Sequence, residues 1–111
     1  MQNFIEDRFF DFMLTRCSLK HISAYAYLTD IRRLSKIMVA TGMVNTSIFE
    51  IKNLHELKKK LIDVVETDEF KKLKSHGHQY GNTKCAMRHY YDYAASDTQF
   101  DASSLKTIRI V

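Results

Sequence analysis

Proline is absent from all 111 residues of this chain, and glycine occurs only three times. Proline fixes φ and glycine reaches positive φ, so both punctuate tight turns, and a multi-stranded all-β fold needs many such turns. A chain this poor in both is driven toward helices joined by few short loops. Its length suits one small domain with a single core and four or five helices. Hydrophobic residues make up 45% and charged residues 27%, a balance that excludes a disordered polyelectrolyte. No apolar run approaches the roughly 20 residues needed to cross a bilayer, and no signal-peptide pattern opens the chain. The expectation is a cytoplasmic protein without a membrane partner, its two cysteines, Cys17 and Cys85, held as reduced thiols.

Apolar periodicity places the helices. Phe4, Ile5, Phe9, Phe12 and Met13 recur at three- and four-residue steps, which predicts a helix over 3–14 with Asn3 as N-cap and Glu6 as its capping-box partner. Ser18 is a candidate cap for a second helix reaching Val39, whose apolar face is Ala24, Tyr27, Leu28, Ile31, Leu34 and Met38. Gly42 should end it. Thr46 or Ser47 opens a short turn at 48–51, and Asn53 caps a charged helix carrying Leu57, Leu61, Val64 and Val65. Thr67 caps a short basic segment over 68–74, residues 75–79 read as a loop, and a final helix covers about 80–95. The predicted core is Ile5, Phe9, Phe12, Tyr27, Ile31, Leu34, Leu57, Leu61, Met87, Tyr90 and Tyr91. Beyond Ser96 the pattern dissolves into a polar stretch and a β-prone end carrying Leu105, Ile108, Ile110 and Val111. The division is therefore a helical domain over 1–95 and a C-terminal tail over 96–111. Deleting 97–111 is expected to leave the domain folded while altering self-association or partner binding.

Two of these helices carry a family pattern. In 23–38 (SAYAYLTDIRRLSKIM), Ser23, Tyr27, Asp30, Ile31 and Leu34 follow T-x-x-x-Y-x-x-D-L-x-x-[FL], with Ser for Thr and Ile for Leu. In 80–94 (YGNTKCAMRHYYDYA), Ala86, Met87, Arg88, Tyr91 and Tyr93 follow S-A-[LVM]-R-x-[FL]-[FY]-x-[YF], with Cys85 at the Ser position. Upstream, Phe9, Phe12 and Leu14 look like the end of the family's opening helix, and 48–54 is similar to the turn before its third. In this order and over 5–94, the chain resembles the N-terminal core-binding domain of tyrosine recombinases, the phage-type integrases. A similar helical pattern occurs in accessory domains of some restriction-type endonucleases.

The resemblance implies an all-α, SAM-like bundle of four helices plus one short turn, with duplex DNA as partner and no cofactor. It implies that the opening turns of the second and last helices meet the DNA, through Lys20, His21 and Ser23 on one and Tyr80, Asn82, Thr83, Lys84 and Arg88 on the other. The family's catalytic domain supplies an Arg, a His-x-x-Arg and a nucleophilic Tyr. Seventeen residues follow Ala94, and of that set they hold only Arg109. The expectation is thus a noncatalytic DNA-binding module, integrase-like and linked to DNA recombination, in a truncated or mobile-element-derived protein. The alternative is an interaction adaptor that keeps the fold without DNA contact, using a protein partner or self-association through the tail.

The remaining chemistry is sparse. A net charge of +4 and a pI near 9.1 permit an anionic partner without demanding one. Lys58, Lys59, Lys60, Lys71, Lys72 and Lys74 lie among Glu56, Asp63, Glu66 and Glu69, a pattern for ion pairs on helix surfaces. Arg32, Arg33 and Lys36 read as a solvated face. His76, His78, Cys85 and His89 are zinc-ligand types within fourteen residues, yet two His one residue apart fit no common finger spacing. The reading is no metal, with a buried Cys85 and solvated His. No Gly-rich phosphate loop, H-E-x-x-H or nucleophile elbow occurs, so no catalytic site is expected. Either cysteine with a histidine would make a thiol nucleophile only if the fold brought the two together.

Overall fold

The structure is a computed structural model that describes residues 4–75, 80–98 and 100–101, and only the backbone of 74, 75 and 80–82. Asn3, most of the 75–79 loop and the end of the tail lie outside the described residues. Within them the chain is all-α: α1 (Phe4–Thr15), α2 (His21–Ala40), a 3-10 turn (Ile48–Glu50), α3 (Leu54–Val64), α4 (Asp68–Ser75) and α5 (Tyr80–Ser96). The short basic segment after Thr67 forms a helix of its own.

Each helix buries one stripe. Ile5, Phe9 and Met13 on α1, spaced by four, face Ala24, Leu28, Ile31, Leu34 and Met38 on α2 and Met87, Tyr90, Tyr93 and Ala94 on α5. Leu57, Leu61 and Val64 on α3, Phe70 on α4, and Ile48 and Phe49 of the 3-10 turn add to the interior. Of the expected core, Phe12, Tyr27 and Tyr91 are only partly buried. Each sits at a rim: Phe12 beneath the Arg16 guanidinium, Tyr27 against His89, and Tyr91 on an open trough between α3 and α5.

The local signals act as their chemistry requires. Thr41 caps α2, and Gly42 then takes φ 79. Its N–H reaches the Val39 carbonyl at 3.1 Å while that of Met43 reaches Met38 at 2.8 Å, the Schellman arrangement that satisfies carbonyls left open at a helix end. A Cβ added at Gly42 would meet nothing within 4 Å, so the positive φ alone favours glycine there. Ser47 caps the 3-10 turn in a reciprocal box with Glu50. The Glu50 carboxylate also accepts from the Thr46 N–H at 2.7 Å and its hydroxyl at 2.9 Å. Those bonds hold the Glu50 carboxyl down at about 2, from 4.5. Buried Ser35 fastens the turn to α2 by accepting the Ile48 N–H at 2.9 Å. Asn53 Oδ1 accepts the Glu56 N–H at 3.0 Å, and Thr67 Oγ1 that of Phe70 at 3.2 Å. Ser18, in contrast, does not cap α2. It takes φ 55 in the link after α1, and the N-cap position falls to Lys20, which offers no side-chain cap.

The boundary near residue 96 needs correction. Asp97 is buried and receives two hydrogen bonds from Arg8, at 2.6 and 2.9 Å, and one from the Tyr93 hydroxyl. Asp97 thereby raises the pKa of Arg8, first through its hydrogen bonds. Phe100 then folds back onto Tyr90 and Tyr93, with ring centroids 6.5 and 5.7 Å away. Asp101 bridges to Asn53: its N–H reaches the Lys52 carbonyl at 2.7 Å, and its carbonyl accepts the Leu54 N–H at 2.8 Å. Asp97, Phe100 and Asp101 therefore pack as part of the domain, and a deletion beginning at 97 removes part of the core. Polar composition hid this, since one Phe and one buried Asp make no periodic signal.

Three outcomes follow from these contacts. Phe100→Ala should cost about 3 kcal/mol or more, read by chemical denaturation; an unchanged midpoint would return the segment to the surface. Tyr90 carries a buried hydroxyl with no partner among the described residues. Tyr90→Phe should therefore hold stability or raise it by about 1 kcal/mol, whereas a lower Tm would reveal a hidden partner. The depressed Glu50 carboxyl contributes stability that is complete above pH 4.5 and drains away as pH falls toward about 2. Glu50→Gln should flatten the slope of Tm against pH in that window, and an identical slope would mean that the bonds at Glu50 are broken in solution.

Candidate nucleic-acid interface

Helix directions decide whether the expected DNA face exists as one end of the bundle. α1 and α2 are antiparallel: Phe10 meets His21, with ring centroids 5.9 Å apart, while Glu6 pairs with Arg32. α1 and α5 are also antiparallel, because Arg8 reaches Asp97 and Phe12 reaches Tyr93. α2 and α5 therefore run in the same sense, and both begin at the end of the bundle where α1 finishes. Tyr27 and His89, one third of the way along α2 and midway along α5, touch with ring centroids 5.1 Å apart. Two helix N-termini at one end bring together the positive ends of two dipoles.

Lys20 and His21 are exposed at the start of α2, with Ser23 half-buried behind them. Lys84 and Arg88 are exposed on α5, one turn apart. The side chains of Tyr80 and Asn82 lie outside the described residues. Thr83 does not fit a DNA contact: at 1% exposure it faces the interior. Its place one turn before Met87 and two before Tyr90 puts it on the buried stripe, which the family pattern had not signalled. Lys58, on α3, belongs by sequence to a run expected to form ion pairs, yet it lines the trough between α3 and α5 together with Lys84 and Arg88.

The other cations are largely neutralised at home. Arg32 makes two 2.9 Å bonds to Glu6, and Arg33 reaches Asp30 at 2.8 Å. Lys59 reaches Asp63 at 3.1 Å, Lys60 lies 4.0 Å from Glu56, and Lys71 lies 3.9 Å from Glu66. Among the described residues Arg16, Lys20, Lys36, Lys52, Lys58 and Arg88 stand outside every salt bridge. Tyr25 adds an exposed ring on α2, 59% accessible.

The cysteines part company. Cys85 is exposed rather than buried, because its position falls between the core stripe and the outer face of α5. Cys17 is half-buried, and its Sγ lies 3.7 Å from His89 Nδ1. Sequence separation of 72 residues hid that pair. Burial, then the nearby Asp92 carboxylate, push the Cys17 thiol up and outweigh Arg16. A thiol held in its neutral form is a poor nucleophile. His89 thus faces Tyr27 and Cys17, and among the described residues no three His, Cys, Asp or Glu side chains gather to hold a metal. His76 and His78 lie outside the described residues.

No family model matches this chain, and neither a curated protein nor a solved structure was found that is significantly similar to it. No described helix is long and apolar enough to cross a membrane.

The two thiols should separate in a timed alkylation followed by mass spectrometry. Cys85 should react first at neutral pH and Cys17 more slowly, with the gap narrowing as pH rises. Faster labelling of Cys17 would mean that His89 activates it.

Proposed function

We propose that this chain is a noncatalytic module that binds duplex DNA, in the manner of the core-binding domain it resembles in sequence. The observation that carries the reading is that α2 and α5 begin at one end of the bundle, with Lys20 and His21 exposed at the start of α2, Lys84 exposed in the second turn of α5 and Arg88 exposed one turn further along, near the middle of that helix. Open backbone N–H groups and cations at helix starts suit phosphate oxygens, which bind through charge, dipole and hydrogen bonding together. Two same-sense helices with their starts at one end would each touch the sugar–phosphate rail. The SAM-like label, the integrase kinship and an origin in a mobile element belong to the same proposal. A half-clamp of this size should bind in the micromolar range, with affinity falling steeply in salt.

A second reading, an interaction adaptor, draws on a different observation: the apolar trough between α3 and α5 beside the same cations.

DNA binding is tested by fluorescence anisotropy on a labelled duplex across a salt series. Lys20→Ala, Lys84→Ala and Arg88→Ala together should weaken binding and flatten the log–log salt slope by roughly 0.9 per lost phosphate contact. Salt-independent binding, or full affinity in the triple variant, would overturn the proposal.

A further inference from the structure

The trough between α3 and α5 is the least explained surface of the molecule. Its volume is about 390 Å³. Leu61, Ile62 and Val65 of the α3 side face Met87 and Tyr91 of α5 across it. Ile62 is 57% exposed and Tyr91 half-buried, so apolar area stands open to water along two neighbouring helices. Three cations, Lys58, Lys84 and Arg88, rim it against the single carboxylate of Asp92. A larger cleft, between α1 and the end of α5, differs in kind: Asp7 and Asp11 line it with Arg8 and Arg16, and its deepest carboxylate, Asp97, is already bound to Arg8.

We propose that the trough between α3 and α5 is a docking site for an acidic amphipathic helix of a partner protein. A helix laid along such a channel inserts apolar side chains at i, i+3 or i+4, and i+7. Here the anchors would pack on Ile62, Val65, Met87 and Tyr91, while carboxylates on either side of that stripe would meet Lys58 and Arg88. Charge complementarity selects this occupant, since rim charges set sign preference and orientation while the apolar floor supplies most of the affinity. The chain's own stretch 102–111 carries Lys106 and Arg109 and no acidic side chain, the wrong sign for the rim. DNA makes use of the cations but not of an apolar floor, so this site stands apart from the DNA proposal although Lys84 and Arg88 border both.

The test uses the full chain and two labelled helical peptides of about sixteen residues, long enough to hold a helix while covering the roughly two turns of each helix that line the trough. Both carry leucine anchors at helical spacing, flanked by glutamates in one and lysines in the other. Anisotropy should show the glutamate peptide binding at least tenfold more tightly than the lysine peptide. Ile62→Ser, a surface change that should spare the fold, should weaken the glutamate peptide several-fold and leave duplex-DNA affinity unchanged. Lys58→Glu should erase the preference for glutamate. Equal binding of both peptides, or binding indifferent to Ile62→Ser, would overturn the proposal while leaving the DNA reading standing. Concentration-dependent dimerisation that Ile62→Ser abolishes would overturn it in favour of a second copy of this chain.

Discussion

Tyr90 lies at the point where the chain closes on itself. Its fully buried ring stands 5.1 Å from Phe9 of α1, 5.9 Å from Phe49 of the 3-10 turn, 5.9 Å from Tyr93 and 6.5 Å from Phe100. Most of these pairs are edge-on, the geometry that aromatic quadrupoles prefer and that adds about 0.5–1.5 kcal/mol per pair beyond simple burial. Three separate pieces of chain thus orient themselves on one residue of α5. The Arg8–Asp97–Tyr93 bonds lie just beyond it and fix the same helix to α1 by charge. An unpartnered hydroxyl in that centre is tolerated because the surrounding rings fill the space, and burial pushes its pKa well up.

The legible part of the fold was what repeats along a helix. Ile5 and Phe9, Ile31 and Leu34, Leu57 and Leu61 sit on four- and three-residue steps, and all are buried. Short-range chemistry was equally visible: Ser47, Asn53 and Thr67 cap as small oxygen-bearing side chains should, and Gly42 turns left-handed. Single residues that pack through distant chain were not. Phe49, Phe70 and Phe100 enter the core from short or irregular stretches where no period exists to mark them. Ser18 is not the cap because α2 begins at His21, which leaves the N-cap position to Lys20.

The candidate interface was legible by residue and less so by arrangement. Lys20, His21, Lys84 and Arg88 are exposed, while Thr83 lies inside because a family pattern records identity and not facing. The common direction of α2 and α5 came from tertiary pairs far apart in sequence, such as Arg8 with Asp97. The Cys17–His89 contact belongs to the same class. Lys58 changed meaning once its neighbours across the trough were seen, since a lysine among glutamates reads as paired until the third dimension separates them.

The Asn53–Asp101 bridge also bears on how the protein is made. During synthesis the N-terminal helices emerge first, at roughly 5–20 residues per second. Phe9 and Phe49 then wait for Tyr90, and the first turn of α3 waits for the Asp101 carbonyl, until the ribosome has released nearly all of the domain. For those seconds Phe9 and Phe49 lack the Tyr90 ring that they meet in the finished fold. Chaperone engagement on the translating ribosome, and slow decoding before codon 101, would bear directly on yield.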